Sequence, residues 1–470
     1  MRHHDESCPG PGGGTAVNTP VADFVRAYAK SGVSRLHMPG HKGQPFLGCE
    51  ALDITEVQGA DALFEADGIL LQSEEHAAAL FGAARTLYST EGSSLCIRAM
   101  LFLALTCRPA GTAPLILAAR NVHRSFVYAP ALLDLPVQWL WPKFGGSLCS
   151  CPFTGEDLDQ ALSSLPQPPA AVYVTSPDYL GWMRPIEELA QVCHRHGTLL
   201  LVDNAHGAYL HFLPEPCHPM DLGADLCCDS AHKTLPVLTG GAYLHISHQA
   251  PQAALSRAKS AMAMFGSTSP SYLTLASLDL CNRYLAGSYR ERLRLTLERL
   301  QNFRHQLQAL GWRLPDADPL RLTLHTARSG CSGREIAQLL RQNQVECEFA
   351  SQDELVLMVT PENPPQDLER VLQALGRAPA GPPLPSAPVL SGTSSIQVMT
   401  LREALFSPQE TIPVNQALGR ICGAPTVACP PAIPITVSGE RFTPEALALF
   451  RHYGITAVDA VIESPSCCIT

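Results

Sequence analysis

An acid and an amine about thirty residues apart are the side chains of this sequence best suited to chemistry. Asp203 ends the apolar run LLLVD, and Lys233 follows the run DLCC. Ligands of parallel sheets bind at the carboxyl ends of the strands, so both side chains are predicted to lie at one edge. A lysine amine forms a Schiff base with an aldehyde, and a carboxylate keeps a ring nitrogen protonated. The pair therefore predicts a pyridoxal phosphate site.

Lysine is rare in this chain, which gives Lys233 more weight. Only five of the 33 basic residues are lysines: Lys30, Lys42, Lys143, Lys233 and Lys259. Arginine cannot replace an amine that must lose its proton. Taken alone, Asp203 could be a turn former and Lys233 a surface charge. The occurrence of both residues at strand ends favours a catalytic role for the pair.

Two further features would complement such a site. Gly92, Ser93 and Ser94 stand directly before an apolar helical stretch at 93–106. Free N–H groups at a helix start bind phosphate, although a serine there is also an ordinary N-cap. His123 follows the apolar run LILAA. A flat imidazole there could stack on a cofactor ring, or it could be a structural histidine.

Alternating elements must position these residues. Short apolar runs occur at 115–119, 171–175, 198–202, 225–228 and 242–246, and helical patterns at 73–84, 93–106 and 185–196. This alternation is typical of βαβ units with a mostly parallel sheet. The predicted organisation is a loose tail (1–19), a large α/β domain (20–285), a small α+β domain (286–377), a Pro-rich linker (378–392) and a C-terminal domain (393–470).

Composition excludes several classes of protein. The net charge is -10, whereas nucleic acids and anionic membranes bind basic surfaces. No run of about 20 apolar residues and no apolar signal core is present, which predicts a cytoplasmic protein. The 17 cysteines are odd in number and lack zinc-knuckle spacing. We therefore expect small apolar core residues, without a disulfide framework or a metal site.

Longer motifs show a resemblance to a known family. They are HMPGHKG (37–43), TEGSSLCIRAM (90–100), RNVHRS (120–125), SPDYLGWMRPIEELAQVCHRHGTLLLVDNAHGAYLHF (176–212), SAHKTLPVLTGGAYLHI (230–246), STSPSYLTLASLD (267–279) and ALGRICGAPTVACPPAIPITVSGE (417–440). In these stretches the chain resembles the Orn/Lys/Arg decarboxylases, in the short Gram-positive form without a receiver-like domain. The resemblance implies fold type I of the pyridoxal phosphate enzymes, the aspartate-aminotransferase-like fold, in a homodimer with active sites at the interface.

The resemblance also implies roles for individual residues. Lys233 would carry the cofactor as a Schiff base, Asp203 would bind the ring nitrogen, His206 the phenolic oxygen, and His123 would stack on the ring. The phosphate would be held by Gly92, Ser93, Ser94, Ser230 and His232. The segment Ser269–Tyr272 would reach the neighbouring subunit's cofactor, and His41 and Lys42 would lie near the site mouth.

Four departures from the family pattern bear on activity. Glu91 stands where the family usually has Asn, Asn204 where it has Glu, and Gly240 where it has Gln. In the tail, ACPPAIP (428–434) replaces a stretch with a tyrosine and a glycine.

The implied reaction is decarboxylation of a basic amino acid. Arginine, giving agmatine, is expected first and lysine or ornithine next, feeding polyamine synthesis. The candidate acids for the distal cation of the substrate are Asp61, Asp178, Glu91 and Glu440. Two alternatives stay open: another fold type I reaction, such as an aminotransferase or a lyase, or a non-catalytic descendant that binds the cofactor or a partner protein.

Overall fold

The computed structural model describes residues 17–143, 147–315, 317–379, 381–385, 387–388, 391–392, 395–427 and 431–462. Most of the predicted tail (1–19) and residues 428–430 of the altered tail motif lie outside these ranges.

A seven-stranded sheet carries the site. Its strands are β1 (Arg85–Ser89), β2 (Ala113–Ala119), β3 (Val137–Leu140), β4 (Pro169–Thr175), β5 (Leu199–Asp203), β6 (Leu226–Asp229) and β7 (Ala242–Ile246). They lie in the order β1-β7-β6-β5-β4-β2-β3, and β7 runs antiparallel to both of its neighbours. The other five strands, β2, β3, β4, β5 and β6, are parallel to one another. The mostly parallel sheet predicted from the alternating pattern is confirmed, and β1 and β3 are strands that the pattern did not reveal.

Helices cover both faces of this sheet. In chain order, the α-helices of the described ranges are α1 (Pro20–Lys30), α2 (Ile69–Phe81), α3 (Ser93–Thr106), α4 (Arg124–Leu133), α5 (Gly155–Ser163), α6 (Ile186–Arg195), α7 (Ala231–Thr234), α8 (Gln252–Phe265), α9 (Tyr272–Ala286), α10 (Tyr289–Ala309), α11 (Gly333–Gln342), α12 (Pro365–Leu375), α13 (Leu401–Phe406) and α14 (Pro444–His452). Apolar side chains of α3, α4 and α8 pack on one face, and those of α5 and α6 pack on the other. Strands that are buried on both faces have continuous apolar sequences, which is why the sequence pattern revealed these strands.

Two smaller sheets follow in the chain. The strands β8 (Arg321–Leu324), β9 (Phe349–Ala350) and β10 (Leu355–Met358) form an antiparallel sheet in the order β8-β10-β9. The strands β11 (Gln409–Pro413) and β12 (Ala457–Val461) pair antiparallel. Capping boxes begin α5, α11 and α13, where a Thr or Ser side chain accepts from the backbone N–H three residues on. The limits of the predicted domains stay a prediction.

A buried ion pair joins the C-terminal segment to the large sheet. Arg120, directly after β2, lies 3.1 Å from the Glu440 carboxylate, and both side chains are buried. The guanidinium also donates to the carbonyls of Pro434 and Ile435. Nearby, the Arg124 N–H donates to the Ala432 carbonyl at 2.9 Å. These contacts hold the C-terminal segment against the loop that carries His123.

No helix in the described ranges is long and apolar enough to cross a membrane. The thirteen cysteines of the described ranges are free, and most of them are buried among apolar side chains, as the sequence predicted.

Candidate active site

The centre of the site is a buried carboxylate, Asp203, at the carboxyl end of β5. Its Oδ2 accepts from the Tyr173 hydroxyl at 3.1 Å. Its Oδ1 accepts from the Ala205 N–H at 3.2 Å and from the Cys228 thiol at 3.7 Å. Burial raises the pKa of Asp203, and the charge of Lys233 opposes that shift. Asp203 is therefore a fully enclosed acid whose charge needs a cationic partner.

Lys233 supplies a positive charge that acts on Asp203. It lies in the short helix α7, and its Nζ is 3.2 Å from Nε2 of His206. Burial is the largest cause that lowers the pKa of Lys233, and the positive charge of Arg321 lowers it further, while Asp203 and Glu348 act in the opposite sense. A lysine with a lowered pKa is a better nucleophile near neutral pH, as Schiff-base chemistry requires.

His206 connects this centre to the turn after β5. It is buried, and burial together with the charge of Lys233 lowers its pKa, so the imidazole is neutral. Its Nδ1 is buried without a hydrogen-bond partner among the described residues. The ring of Tyr179 stands edge-on to it at 5.3 Å. A buried orphan atom beside Lys233 and Asp203 indicates room for a bound group.

Serine hydroxyls converge at the start of α3. Gly92 precedes the helix with a φ of 71°, a left-handed conformation that favours glycine. The Ser230 hydroxyl donates to Ser93 at 2.8 Å, and the Ser94 and Ser125 hydroxyls are 2.7 Å apart. Hydroxyls gathered at a helix N-terminus are suited to bind an anion. Four of the five predicted phosphate residues, Gly92, Ser93, Ser94 and Ser230, are thus brought together, and Ser125 joins them although sequence reasoning had not named it.

Two more predicted histidines lie at the same edge of the sheet. His123 is the N-cap of α4, and its Nδ1 accepts from the Ser125 N–H at 3.2 Å. Burial, with help from the charges of Lys233 and Arg124, lowers the pKa of His123 to about 4. His232 has its Nδ1 3.0 Å from the Gly241 carbonyl, and burial lowers its pKa. Both rings are therefore neutral near pH 7, and their predicted cofactor roles stay predictions.

The structure explains two departures from the family pattern. The Glu91 carboxylate turns outward and accepts from the Ser267 N–H at 2.6 Å, so its charge is directed away from the anion site. Gly240 has a φ of 96°, and a Cβ there would lie 2.5 Å from the Thr90 carbonyl oxygen. Its own carbonyl accepts from the Gly92 N–H at 2.7 Å. Glycine is therefore required where the Lys233 loop meets the anion loop.

Asn204, the third departure, belongs to a buried network around Asp229. Its amide donates to Asp229 Oδ1 at 2.6 Å, and Nε2 of His218 and of His245 lie 3.0 and 3.1 Å from Oδ2. His218 Nδ1 accepts from the Met220 N–H, so its Nε2 carries a proton and cannot bind a metal. This His–Asp–His cluster is accordingly a hydrogen-bonded network. The Asn204 amide donates to it, whereas a glutamate at this position would have to be protonated in order to donate.

The small sheet contributes two charged residues that sequence reasoning missed. Arg321 of β8 is buried and donates to the carbonyls of Asp178 and Tyr179, while its Nε and Nη2 have no partner among the described residues. Glu348, next to β9, accepts from the Tyr179 hydroxyl at 2.8 Å. Because both charges act on the pKa of Lys233, both lie near the site. No local motif marks either residue.

The four acids predicted as partners of the substrate cation are engaged elsewhere. Asp61 accepts from four backbone N–H groups at the start of α2, and Asp178 accepts from those of Leu180 and Trp182. Glu91 binds the Ser267 N–H, and Glu440 is paired with Arg120. None of these carboxylates is presented beside Lys233.

Three residues predicted near the site make local contacts. His41 lies 3.1 Å from Asp53, and Lys42 donates to the His37 carbonyl. Tyr272 is buried in its own subunit and donates to the Asp61 carbonyl, so this ring cannot be the part of Ser269–Tyr272 that reaches a neighbour. Within Ser269–Tyr272 only Ser269 is exposed, and the approach of this segment to a neighbouring subunit stays a prediction.

The residues present fit pyridoxal phosphate. The site offers a half-buried lysine with a lowered pKa, a buried acid, a group of hydroxyls suited to an anion, and buried polar atoms that have no partner among the described residues, including Thr175 Oγ1 and His206 Nδ1. On this fold, such a donor set defines a pyridoxal phosphate enzyme of fold type I.

Comparison with known proteins narrows this class to one family. The chain belongs to the Orn/Lys/Arg decarboxylase family, because the model of the family's major domain matches residues 19–314. It is thus a pyridoxal-phosphate-dependent amino-acid decarboxylase, as the sequence motifs predicted.

Relatives of this chain agree with that assignment over most of its length. It is 28% identical to an arginine decarboxylase of Halalkalibacterium halodurans, over 92% of this chain and 93% of the relative. It is also 28% identical to an arginine decarboxylase of Bacillus subtilis, with the same coverage. The lysine decarboxylase of Francisella novicida has a similar fold, with a TM-score of 0.75 over 95% of this chain and 81% of that chain, at 15% identity.

Proposed function

We propose that this enzyme decarboxylates a basic amino acid, with arginine, giving agmatine, as the first candidate and lysine or ornithine next. Such a reaction would feed polyamine synthesis. The names of the relatives support the substrate class. The observation that carries the proposal is the pair of opposite charges, Arg321 and Glu348, on the two sides of Tyr179 beside Lys233.

Each residue at the strand ends has a proposed task. Lys233 would hold the cofactor and would return a proton to the α-carbon of the substrate. Asp203 would keep the ring nitrogen protonated, His206 would donate to the phenolic oxygen, and His123 would support the ring face. When bound, pyridoxal phosphate supplies the electron sink for the bond that breaks. The phosphate is held by Gly92, Ser93, Ser94, Ser230 and His232, with Ser125 beside them.

Glu348 is the proposed partner of the distal cation of the substrate. Its carboxylate is 2.8 Å from the Tyr179 hydroxyl, and the Tyr179 ring contacts His206, which contacts the Lys233 amine. This chain of contacts places a negative charge one aromatic ring beyond the reacting centre. An amino acid with a cation at the end of a long side chain matches that separation.

Arg321 is the proposed partner of the α-carboxylate. Two of its three guanidinium nitrogens are buried and have no hydrogen-bond partner among the described residues, so they can donate to an anion that binds there. The planar guanidinium can accept a carboxylate in two parallel hydrogen bonds and so set its orientation. The orientation of the carboxylate matters because the bond between the α-carbon and the carboxylate would have to overlap the π system of the cofactor for carbon dioxide to leave.

A homodimer in the cytoplasm is proposed as the working state. Large apolar side chains in the N-terminal segment are exposed in one chain: Leu36 at 94%, Phe46 at 85% and Leu47 at 86%. Apolar surface of this kind marks an interaction site. A second copy would cover it, and the segment Ser269–Tyr272, through its exposed Ser269, would then approach the partner's cofactor.

The test is carbon dioxide release from purified enzyme with added pyridoxal phosphate, with arginine, lysine and ornithine given separately. Release from one of them identifies the substrate, and Lys233→Ala should show none. Absence of release from all three, with the cofactor still trapped on Lys233 by borohydride, would contradict the proposal. It would point to another reaction of the same fold.

A further inference from the structure

The side chains around Asp203 come from two neighbouring strands that share one face of the sheet. Asp203 pairs in register with Thr175 of β4 and with Cys228 of β6. Tyr173 stands two residues before Thr175 on the same face, because side chains alternate along a strand. Its hydroxyl reaches one Asp203 oxygen at 3.1 Å, and the Cys228 thiol reaches the other at 3.7 Å.

Neither donor can compete with Asp203 for negative charge. Burial raises the pKa of the Tyr173 hydroxyl and of the Cys228 thiol well above their usual values, and the Asp203 charge raises both further. Both groups therefore keep their protons over the pH range in which enzymes work. A neutral O–H or S–H that must donate stabilises the ionised form of the acid that it faces.

We propose that the Tyr173 hydroxyl and the Cys228 thiol are positioning donors that keep the Asp203 carboxylate ionised and fix its orientation for the ring nitrogen of the cofactor. This inference rests on the proposed pairing of Asp203 with that nitrogen. Burial alone works against the charge that this pairing needs, so an enclosed carboxylate requires compensating donors. The backbone N–H of Ala205 supplies one of them, and the two side chains supply the others.

The groups that face Asp203 set the sign of the expected pH effect. They are Tyr173 from β4, Cys228 from β6, Cys96 from α3 and Lys233 from α7. Lys233 and the two donors favour the carboxylate, whereas burial favours the neutral acid. Removing a donor therefore raises the pKa of Asp203. The rate falls as Asp203 gains a proton, so the acid limb of the pH profile moves to higher pH.

Tyr173→Phe removes the hydroxyl and keeps the ring, which packs on Phe126 with centroids 4.3 Å apart. In the holoenzyme we expect the acid limb of kcat/KM to rise by about one pH unit, with about a tenfold loss of rate below the limb. The pH midpoint of the visible absorption of the Lys233-bound cofactor should move with it. Cys228→Ala should give a smaller shift in the same direction, and Cys228→Ser should keep the midpoint of the unaltered enzyme.

Tyr88→Phe is the matched control, since Tyr88 is a fully buried tyrosine of the same sheet whose hydroxyl donates to the Ser73 carbonyl. It should lower the melting temperature without moving either midpoint. If Tyr173→Phe behaves like Tyr88→Phe, with a stability loss and unmoved midpoints, the two donors are only structural and the inference is wrong.

Two other outcomes separate this inference from the proposals on which it rests. An Asp203→Ala variant whose cofactor absorption and its pH midpoint equal those of the unaltered enzyme would overturn the pairing with the ring nitrogen, and the donor role with it. An absorption midpoint that moves in Tyr173→Phe while no basic amino acid releases carbon dioxide would contradict the substrate proposal and support the donor role.

Discussion

The two halves of the site differ in how the chain builds them. The half on the large sheet consists of strand ends and a helix start, with Asp203 and His206 buried and the Lys233 amine in contact with His206. The half on the small sheet consists of Arg321 and Glu348, which approach through Tyr179. We assign cofactor chemistry to the first half and substrate recognition to the second. The difference teaches that short sequence motifs reveal the residues proposed for cofactor chemistry, whereas the residues proposed for substrate recognition come together only when the two sheets pack.

Lys233→Ala breaks the first half most severely. We expect the loss of all measurable carbon dioxide release and of the cofactor trapped by borohydride, because no other amine lies in contact with His206 in the described ranges. Circular dichroism should show an intact fold. Turnover that persists in this variant would mean that Lys233 is not the residue that binds the cofactor.

Asp203→Ala keeps the lysine and removes the acid. Loss of the buried charge should lower kcat by about 10²–10³-fold, as for other preorganised electrostatic groups. Steady-state kinetics at saturating cofactor measure this effect separately from weaker cofactor binding. Near-normal turnover would show that another group holds the ring nitrogen.

Arg321→Lys tests the second half at the α-carboxylate. A lysine keeps the charge but loses the planar pair of donors, so kcat/KM should fall by about ten- to a hundredfold. The amine product lacks the α-carboxylate, and its inhibition constant should therefore stay close to that of the unaltered enzyme. Equal losses for amino acid and amine would refute the proposed contact.

Glu348→Gln tests the same half at the other end of the substrate. Because Glu348 is exposed, solvent weakens its pairing, and we expect about a three- to tenfold rise in KM for the basic amino acid. The amine product should lose affinity equally, which is the reverse of the Arg321→Lys pattern. Glu346→Gln is the matched control, since Glu346 is also exposed and pairs with Arg341. A similar KM change in that variant would exclude a specific role for Glu348.

Ala432→Gly gives the smallest expected effect. Ala432 has a φ of 57°, at the tail position where the family usually has glycine, so its Cβ is strained. Relief of this strain should stabilise the protein by about 0.5–1 kcal/mol in urea unfolding. Ala417→Gly, at a φ of -85°, should instead destabilise it. Destabilisation of both variants would show that the left-handed backbone at 432 is not strained.

The sequence predicted the first half of the site because its signals are local. Asp203 and Lys233 each end or follow an apolar run, and the parallel strands bring such ends to one edge. The same reasoning placed the start of α3 at Ser93, where the structure has it. Strands β1 and β3 were missed because β1 carries Arg85 and Thr86 and β3 carries Gln138, so neither shows an uninterrupted apolar run.

By itself, the sequence predicted the mostly parallel sheet from its apolar runs and the cofactor from the acid and the lysine at strand ends, because these signals lie within short segments. The resemblance of its motifs to a known family implied the fold type. Only the tertiary structure decided which charges complete the site. Asp61, Asp178, Glu91 and Glu440 looked available as acids, yet each is engaged by backbone N–H groups or an arginine. Arg321 and Glu348 come from a second sheet, more than eighty residues beyond Lys233. No local pattern can encode a contact that exists only when two sheets pack together.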